Sequence, residues 1–288
     1  MTETSSTNQR TTKTPVRLSG IGLHLGIRAH VHILPAPAIS GIITRRIDVE
    51  GIPEGRALAL NVTDVQRSTT ISCGTSSVKL VEHIIAALYA LNIDNAIIAL
   101  DGPEPPVGDG SSLPYVELLQ KAGVVEQDAP AEFCRIETPI WVEKDDSRLI
   151  FLPHDEDTFR ITCTVHYGVC KMDTQYLSLE INEETFTKEL APARTFCEDY
   201  AQVEFLMKAG LIRGASLDNA MVVRDGAIIS KDGLRFDDEL VRHKMLDIVG
   251  DLSLIGRRLR GHLIAIKPGH PLNVEMAQTL MKAMGYES

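Results

Sequence analysis

The chain has no apolar run of about 18 residues, the length that a membrane-spanning helix requires. Its opening stretch, MTETSSTNQRTTKTP, is polar and lacks the apolar segment of a secretory leader or an anchor. Basic charge is not in excess: 29 Lys and Arg against 39 Asp and Glu leave a formal charge of -10, which removes any global electrostatic reason to bind nucleic acid. The cysteines Cys73, Cys134, Cys163, Cys170 and Cys197 are odd in number and scattered, with no Cys-x-x-Cys pair. That pattern excludes a disulfide framework and fits small buried hydrophobes in a reducing, cytoplasmic setting. A phosphate-binding Walker sequence, a His-Glu-x-x-His helix and a zinc-finger spacing are all missing too.

What is present is an ordinary globular composition, 44% hydrophobic and 24% charged, over 288 residues, long enough for two domains. An internal match, DNAIIALDG at Asp94 to Gly102 and DNAMVVRDG at Asp218 to Gly226, points to a duplicated unit of turn, short strand and turn. The expected joint is the polar EQDAPAE at Glu126 to Glu132, dividing the chain into residues 1–128 and 129–288. RAHVHILPA, ALALNVTDV, RLIFLP, FRITCTVHY, AMVVRDG and HLIAIKPG read as strands, whereas VEHIIAALYAL, PYVELLQKAG, EDYAQVEFLMKAG and VRHKMLDIVGDL read as helices. Strands in runs with paired helices predict an α+β fold: two tandem domains of similar topology, each a small sheet on a pair of helices.

GIGLHLG at Gly20 to Gly26 lacks the third glycine of a dinucleotide loop and precedes an alternating strand, so it reads as a hairpin turn. His30 and His32 share a face of that strand and read as surface residues. Arg257, Arg258 and Arg260 follow a helix that begins at Asp237, Asp238 and Glu239, an arrangement that complements the helix dipole. Three constellations remain. Glu82 and His83 stand at the start of a helix that is apolar on nearly every side, so they are either a pair satisfied by a loop or part of a cation site. His243, Asp247 and Asp251, each four residues apart, form one stripe, which is either a solvated face or a metal-ligand pair with a carboxylate to orient a nitrogen or water. His270, between Gly269 and Pro271, reads as a loop histidine, either solvent-exposed or placed for proton transfer.

Together these residues resemble one family, the UDP-3-O-acyl-N-acetylglucosamine deacetylases of lipid A biosynthesis in Gram-negative bacteria. The resemblance rests on GIGLHLG, VEHIIAALYALNIDNAIIALDGPEPPVGDGSSLPYV, ARTF, GLIRGASLDNAMVV, LRFDDELVRHKMLDIVGDL and GHPLN, and so runs over nearly the whole chain. It implies a zinc amidohydrolase that hydrolyses the acetamide of UDP-3-O-acyl-N-acetylglucosamine, with the active site between the helical layers. By resemblance His83, His243 and Asp247 are metal ligands for zinc, or for ferrous iron, which suits the same donors. Glu82 is the general base and Thr195 helps to hold the oxyanion. His270 is the general acid, with Asp251 holding its imidazole. Phe196 and Lys244 contact substrate, and Val203, Ile212, Ala215, Ser216 and Val222 line the passage for the acyl chain. The expected protein is a cytoplasmic monomer with no nucleic-acid partner and no stable membrane insertion. Three departures stand out: Ala215 where family members often carry glycine, the polar Arg67 in a loop that faces the site, and FCEDYAQVEF, one residue longer than the family's spacing after the threonine. The alternative within the same fold is a catalytically silent regulator that binds the acylated nucleotide sugar.

Overall fold

Alternation sets the first sheet: in β3 (Arg28–Pro35) Ala29, Val31 and Ile33 are fully buried, while His30 and His32 lie on the other face. The computed structural model describes residues 7–168 and 174–286, and Cys170 lies outside them. β3 pairs with β2 (Val16–Ile21) across the GIGLHLG turn, as the hairpin reading expects, and on its other side with β9 (Ala96–Leu100). Beyond β9 come β4 (Ile42–Arg46), parallel to it, and the edge strand β5 (Glu54–Arg56). A small sheet of β6 (Val62–Asp64), β7 (Thr70–Cys73) and β8 (Ser76–Val78) follows. ALALNVTDV, expected as one strand, divides into a 3₁₀ turn at Ala59–Asn61 and β6, because the Ala59 N–H donates to the Leu254 carbonyl instead of to a strand neighbour. β1 (Asn8–Thr12) pairs with β10 (Val124–Pro130), so most of EQDAPAE is a paired strand and not a loose linker.

The second five-stranded sheet runs β12 (Ile140–Lys144), β13 (Ser147–Leu152), β20 (Gly261–Ile266), β14 (Phe159–His166), β15 (Thr174–Glu180). It repeats the first in order and in direction, with an antiparallel hairpin, a late strand inserted at the centre, a parallel neighbour and an antiparallel edge. The fold is α+β, and the topology is duplicated. The matching stretches in the sequence do not carry that duplication, however. β9 is the centre of the first sheet, whereas the segment that resembles it, β17 (Met221–Arg224), lies in a separate sheet between β16 (Phe196–Cys197) and β18 (Ala227–Ile229). The topological counterpart of β9 is β20. What the two stretches share is turn chemistry: the buried side chains of Asn95 and Asn219 accept from the backbone N–H of Gly41 and Ser216 respectively. A two-residue pair, β11 (Phe133–Cys134) with β19 (Arg258–Leu259), completes the strands.

Among the described residues there are six α-helices: α1 (Glu82–Ala90), α2 (Leu113–Ala122), the single turn α3 (Glu183–Thr185), α4 (Ala201–Lys208), α5 (Glu239–Ser253) and α6 (His270–Ala283). α1 meets α5 in the middle, flanked by α2 and α6. Of α1 only Tyr89 is not fully buried, in line with its apolar circumference. The approach of α1 to α5 depends on Gly250, where a Cβ would lie 2.3 Å from the Glu82 carbonyl oxygen. α6 corrects one expectation: His270 is the first residue of a helix rather than a loop residue, with Pro271 at a position that needs no N–H donor. Arg258 corrects another, being buried and bidentate to Asp94 at 2.7 and 3.0 Å instead of serving the end of α5. This ion pair ties the two halves together. Among the described residues no helix is long and apolar enough to cross a membrane.

Candidate active site

The stripe His243, Asp247, Asp251 is almost completely buried, at 2%, 2% and 0% exposure, because it is pressed against the first turn of α1 and not against water. His243 Nδ1 donates to the Ala193 carbonyl at 3.1 Å, which leaves the Nε2 lone pair to point the other way. Asp247 Oδ1 lies 3.5 Å from that Nε2 and 3.6 Å from Nε2 of His83 on α1. The two imidazoles stand edge to face with centroids 5.1 Å apart. All three donor atoms fall within 4.8 Å of one another. Donors about 2.0–2.1 Å from a tetrahedral ion stand roughly 3.3 Å apart, so two imidazoles and one carboxylate in this arrangement fit a divalent metal.

The electrostatics fit as well. Burial, against the attraction of Asp247, pushes His243 down to about 4, so it is a neutral ligand at physiological pH. Burial alone would raise Asp247, but His243 and Lys244 overcome it and hold the carboxyl well below the usual range. Lys244 Nζ donates to Asp247 Oδ2 at 3.1 Å and lies 5.4 Å from the centre of the Phe196 ring, which in turn stands edge-on to His243 at 5.9 Å. Despite its burial, Lys244 is raised above its ordinary value by that carboxylate.

On the other side of the three ligands sit Glu82 and His270. Burial pushes the Glu82 carboxyl up to about 7, although His270 and His83 draw it down. Its Oε2 accepts the Thr69 N–H at 3.0 Å, and its Oε1 faces His270 Nε2 at 3.9 Å. His270 moves the opposite way: burial disfavours its charge, but Asp251, with Oδ2 at 2.9 Å from Nδ1, raises it to about 9. Asp251 is itself fixed by the Thr69 hydroxyl at 2.6 Å and by Asn273 Nδ2 at 2.9 Å. The result is a proton acceptor and a proton donor on one side of a cation-ready cluster. Such a pair can take a proton from water and give one to a leaving group.

Thr195 is half-buried, and its backbone is clamped by an N–H to the Gly110 carbonyl at 2.8 Å and by the Met221 N–H at 2.9 Å. Gly110, at φ +87°, has room for no side chain, since a Cβ would lie 1.8 Å from the Asn219 carbonyl oxygen. The preceding Arg194 is locked by the buried Glu239, which accepts from its side chain and its N–H at 2.9 to 3.0 Å. Of the passage residues, Val203 lies on α4 and Val222 on β17 beside Cys197, and both are half-buried. Ile212 takes φ 51°, a strained value for a β-branched side chain. Ala215 packs on the buried cluster of Leu23, Leu80 and Val107. Ser216 is exposed, and its hydroxyl accepts from the Asp218 N–H. Arg67 is exposed at φ 62° and donates to Gln202 on α4, which explains how a polar residue is accommodated in that loop.

Sequence reading missed Thr69, Ala193, Gly250 and the role of Asn273. Thr69 and Asn273 stood inside polar or motif stretches, RSTTIS and GHPLN, but nothing in their spacing connects them to Asp251. Gly250 sat between Val249 and Asp251 as a small residue in a helix, the one signal of a close helix contact.

The family model described as UDP-3-O-acyl N-acetylglycosamine deacetylase matches residues 9–282. A curated UDP-3-O-acyl-N-acetylglucosamine deacetylase of Chlamydia pneumoniae is 45% identical over 278 residues, covering 96% of this chain and 98% of the relative. Deacetylases of the same name from Alcanivorax borkumensis and Pseudomonas entomophila are 40% and 41% identical, each covering 95% of this chain and 90% of the relative.

Proposed function

Because the chain belongs to the UDP-3-O-acyl N-acetylglycosamine deacetylase family, we propose that it removes the N-acetyl group from UDP-3-O-acyl-N-acetylglucosamine, giving the free amine and acetate in lipid A biosynthesis. One observation carries the reading: His83 from the first half and His243 and Asp247 from the second meet as a buried donor set, with Glu82 and His270 beside them. The ion in this reading is zinc, with ferrous iron as the substitute that the same donors accept. When bound, it supplies Lewis acidity, easing proton loss from water and drawing charge from the acetamide carbonyl.

The chain's own residues do the rest. Glu82 takes a proton from the attacking water as the water oxygen bonds to the carbonyl carbon. His270, kept protonated by Asp251, gives its Nε2 proton to the amide nitrogen as the C–N bond breaks, so acetic acid and a neutral amine leave, and the acid then gives its proton to water to become acetate. Thr195 faces the developing oxyanion. Lys244 offers positive charge and Phe196 an aromatic face to the substrate, while Val203, Ile212, Ala215, Ser216 and Val222 form the acyl passage. In this reading the enzyme has two domains, expected as residues 1–128 and 129–288 with the joint falling inside β10, and it acts as a cytoplasmic monomer without nucleic acid. The test is metal analysis joined to an acetate assay: about one ion per chain in the wild type, and loss of both ion and turnover in His243→Ala. Acetate release by Glu82→Ala at the wild-type rate would remove Glu82 from the role of base.

A further inference from the structure

We propose that Thr69 is a positioning residue that holds the Glu82 base and the His270–Asp251 pair in fixed register; this rests on the deacetylase reading above. Thr69 is completely buried, immediately before β7. Three of its groups are directed at three different parts of the site. Its N–H donates to Glu82 Oε2 at 3.0 Å, and its carbonyl accepts the N–H of Val81, the residue before α1. Its hydroxyl donates to Asp251 Oδ1 on α5 at 2.6 Å, the length of a charge-assisted O–H···O bond.

The hydroxyl has a single proton and two neighbours. His270 Nδ1 lies 3.4 Å away, but that nitrogen is turned to Asp251 Oδ2 at 2.9 Å, so the hydroxyl proton goes to Asp251. The two carboxylate oxygens are thereby distinguished. Oδ1 accepts from Thr69, and Oδ2 accepts from His270 and Asn273. Occupying Oδ1 stops the carboxylate from rotating and keeps Oδ2 in line with the imidazole, which aims His270 Nε2 at the space beside Glu82 Oε1. Base and acid must serve opposite bonds of the same carbon, the one forming to water oxygen and the one breaking to nitrogen. A single residue that grips both groups fixes their separation, and it does so from the first half of the chain onto a helix of the second.

The experiment compares Thr69→Val, which keeps the branched shape and the backbone N–H but loses the hydroxyl, with Thr69→Ser, which keeps the hydroxyl. Acetate release from UDP-3-O-acyl-N-acetylglucosamine is measured alongside metal content in the full-length protein. Thr69→Val is expected to lower kcat by about 10- to 100-fold, the scale on which a small misplacement of catalytic groups slows a reaction, with KM and metal content unchanged. Thr69→Ser is expected to recover most of that loss. Since the hydroxyl acts through Asp251, adding Thr69→Val to Asp251→Asn is expected to cost nothing further. Wild-type kcat in Thr69→Val, loss of metal or a raised KM that accounts for the defect, a Ser variant as poor as the Val variant, or additive losses in the double variant would each overturn the assignment. No acetate release by the metal-loaded wild type would instead sink the deacetylase reading, and the role of Thr69 with it.

Discussion

Replacing Gly250 by alanine tests whether the closeness of α1 and α5 is what assembles the site. The new Cβ would sit 2.3 Å from the Glu82 carbonyl oxygen and 2.8 Å from its carbonyl carbon, whereas ordinary contact begins at 3.4 Å. About 1 Å must be found, and both obstacles are backbone, so one helix has to move as a body. His83 follows Glu82 on α1, while His243 and Asp247 are on α5, so the same displacement opens the donor set. Overpacking of a filled interior costs about 1–3 kcal/mol, and a misplacement of about 1 Å can cost on the order of 10²-fold in rate. Gly250→Ala is therefore expected to melt several degrees lower, to bind its ion more weakly in competition with a chelator, and to release acetate about 100-fold more slowly. Calorimetry, metal titration and the acetate assay read these effects separately. A variant with wild-type melting temperature, ion affinity and kcat would show that the contact is not what brings the ligands together.

Activity should trace a bell against pH. Glu82 must be unprotonated, and burial places its carboxyl at about 7 before an ion is bound. A nearby cation lowers that value, so the rate rises through an acid limb at or below about 7, and Glu82→Gln abolishes turnover along the whole limb. On the alkaline side His270 must keep its proton, and the same cation disfavours its charge, so the rate falls at or below about pH 9; a profile flat to pH 10 would remove it as the acid. Asp94→Ala removes the carboxylate that balances the buried Arg258 charge, leaving it backbone carbonyls, and is expected to cost about 3–5 kcal/mol in urea unfolding while leaving the metal-to-protein ratio intact. Ala215→Gly takes one methyl from the proposed passage wall, worth about 0.8 kcal/mol or roughly fourfold, and should shift the kcat/KM ratio toward the longer of two acyl chains that differ by one methylene. An unchanged ratio would place Ala215 outside the passage.

The sequence by itself determined the elements that depend on local periodicity. The alternation of RAHVHILPA produced β3, the apolar circumference of EHIIAALYA produced the buried α1, and the four-residue spacing in α5 put His243, Asp247 and Asp251 on one face. The motifs also pointed to the donor residues, because family patterns are written in local spacing. Tertiary structure alone decided which way those faces turn. The stripe on α5 is buried only because Gly250 lets α1 close on it, and His270 meets Asp251 only because α6 begins where it does. The internal match in the sequence misled for the same reason: turn residues repeat wherever a turn is needed, whereas the duplicated sheets are defined by strand order, which pairs β9 with β20 and leaves β17 elsewhere. Thr69 reaches Asp251, Ala193 reaches His243 and Arg258 reaches Asp94 across 50 to 182 residues, and contacts across that distance leave no period to read. Spacing along a chain fixes what is near within one helix or strand; what meets across elements is fixed by packing, and this site is made almost entirely of such meetings.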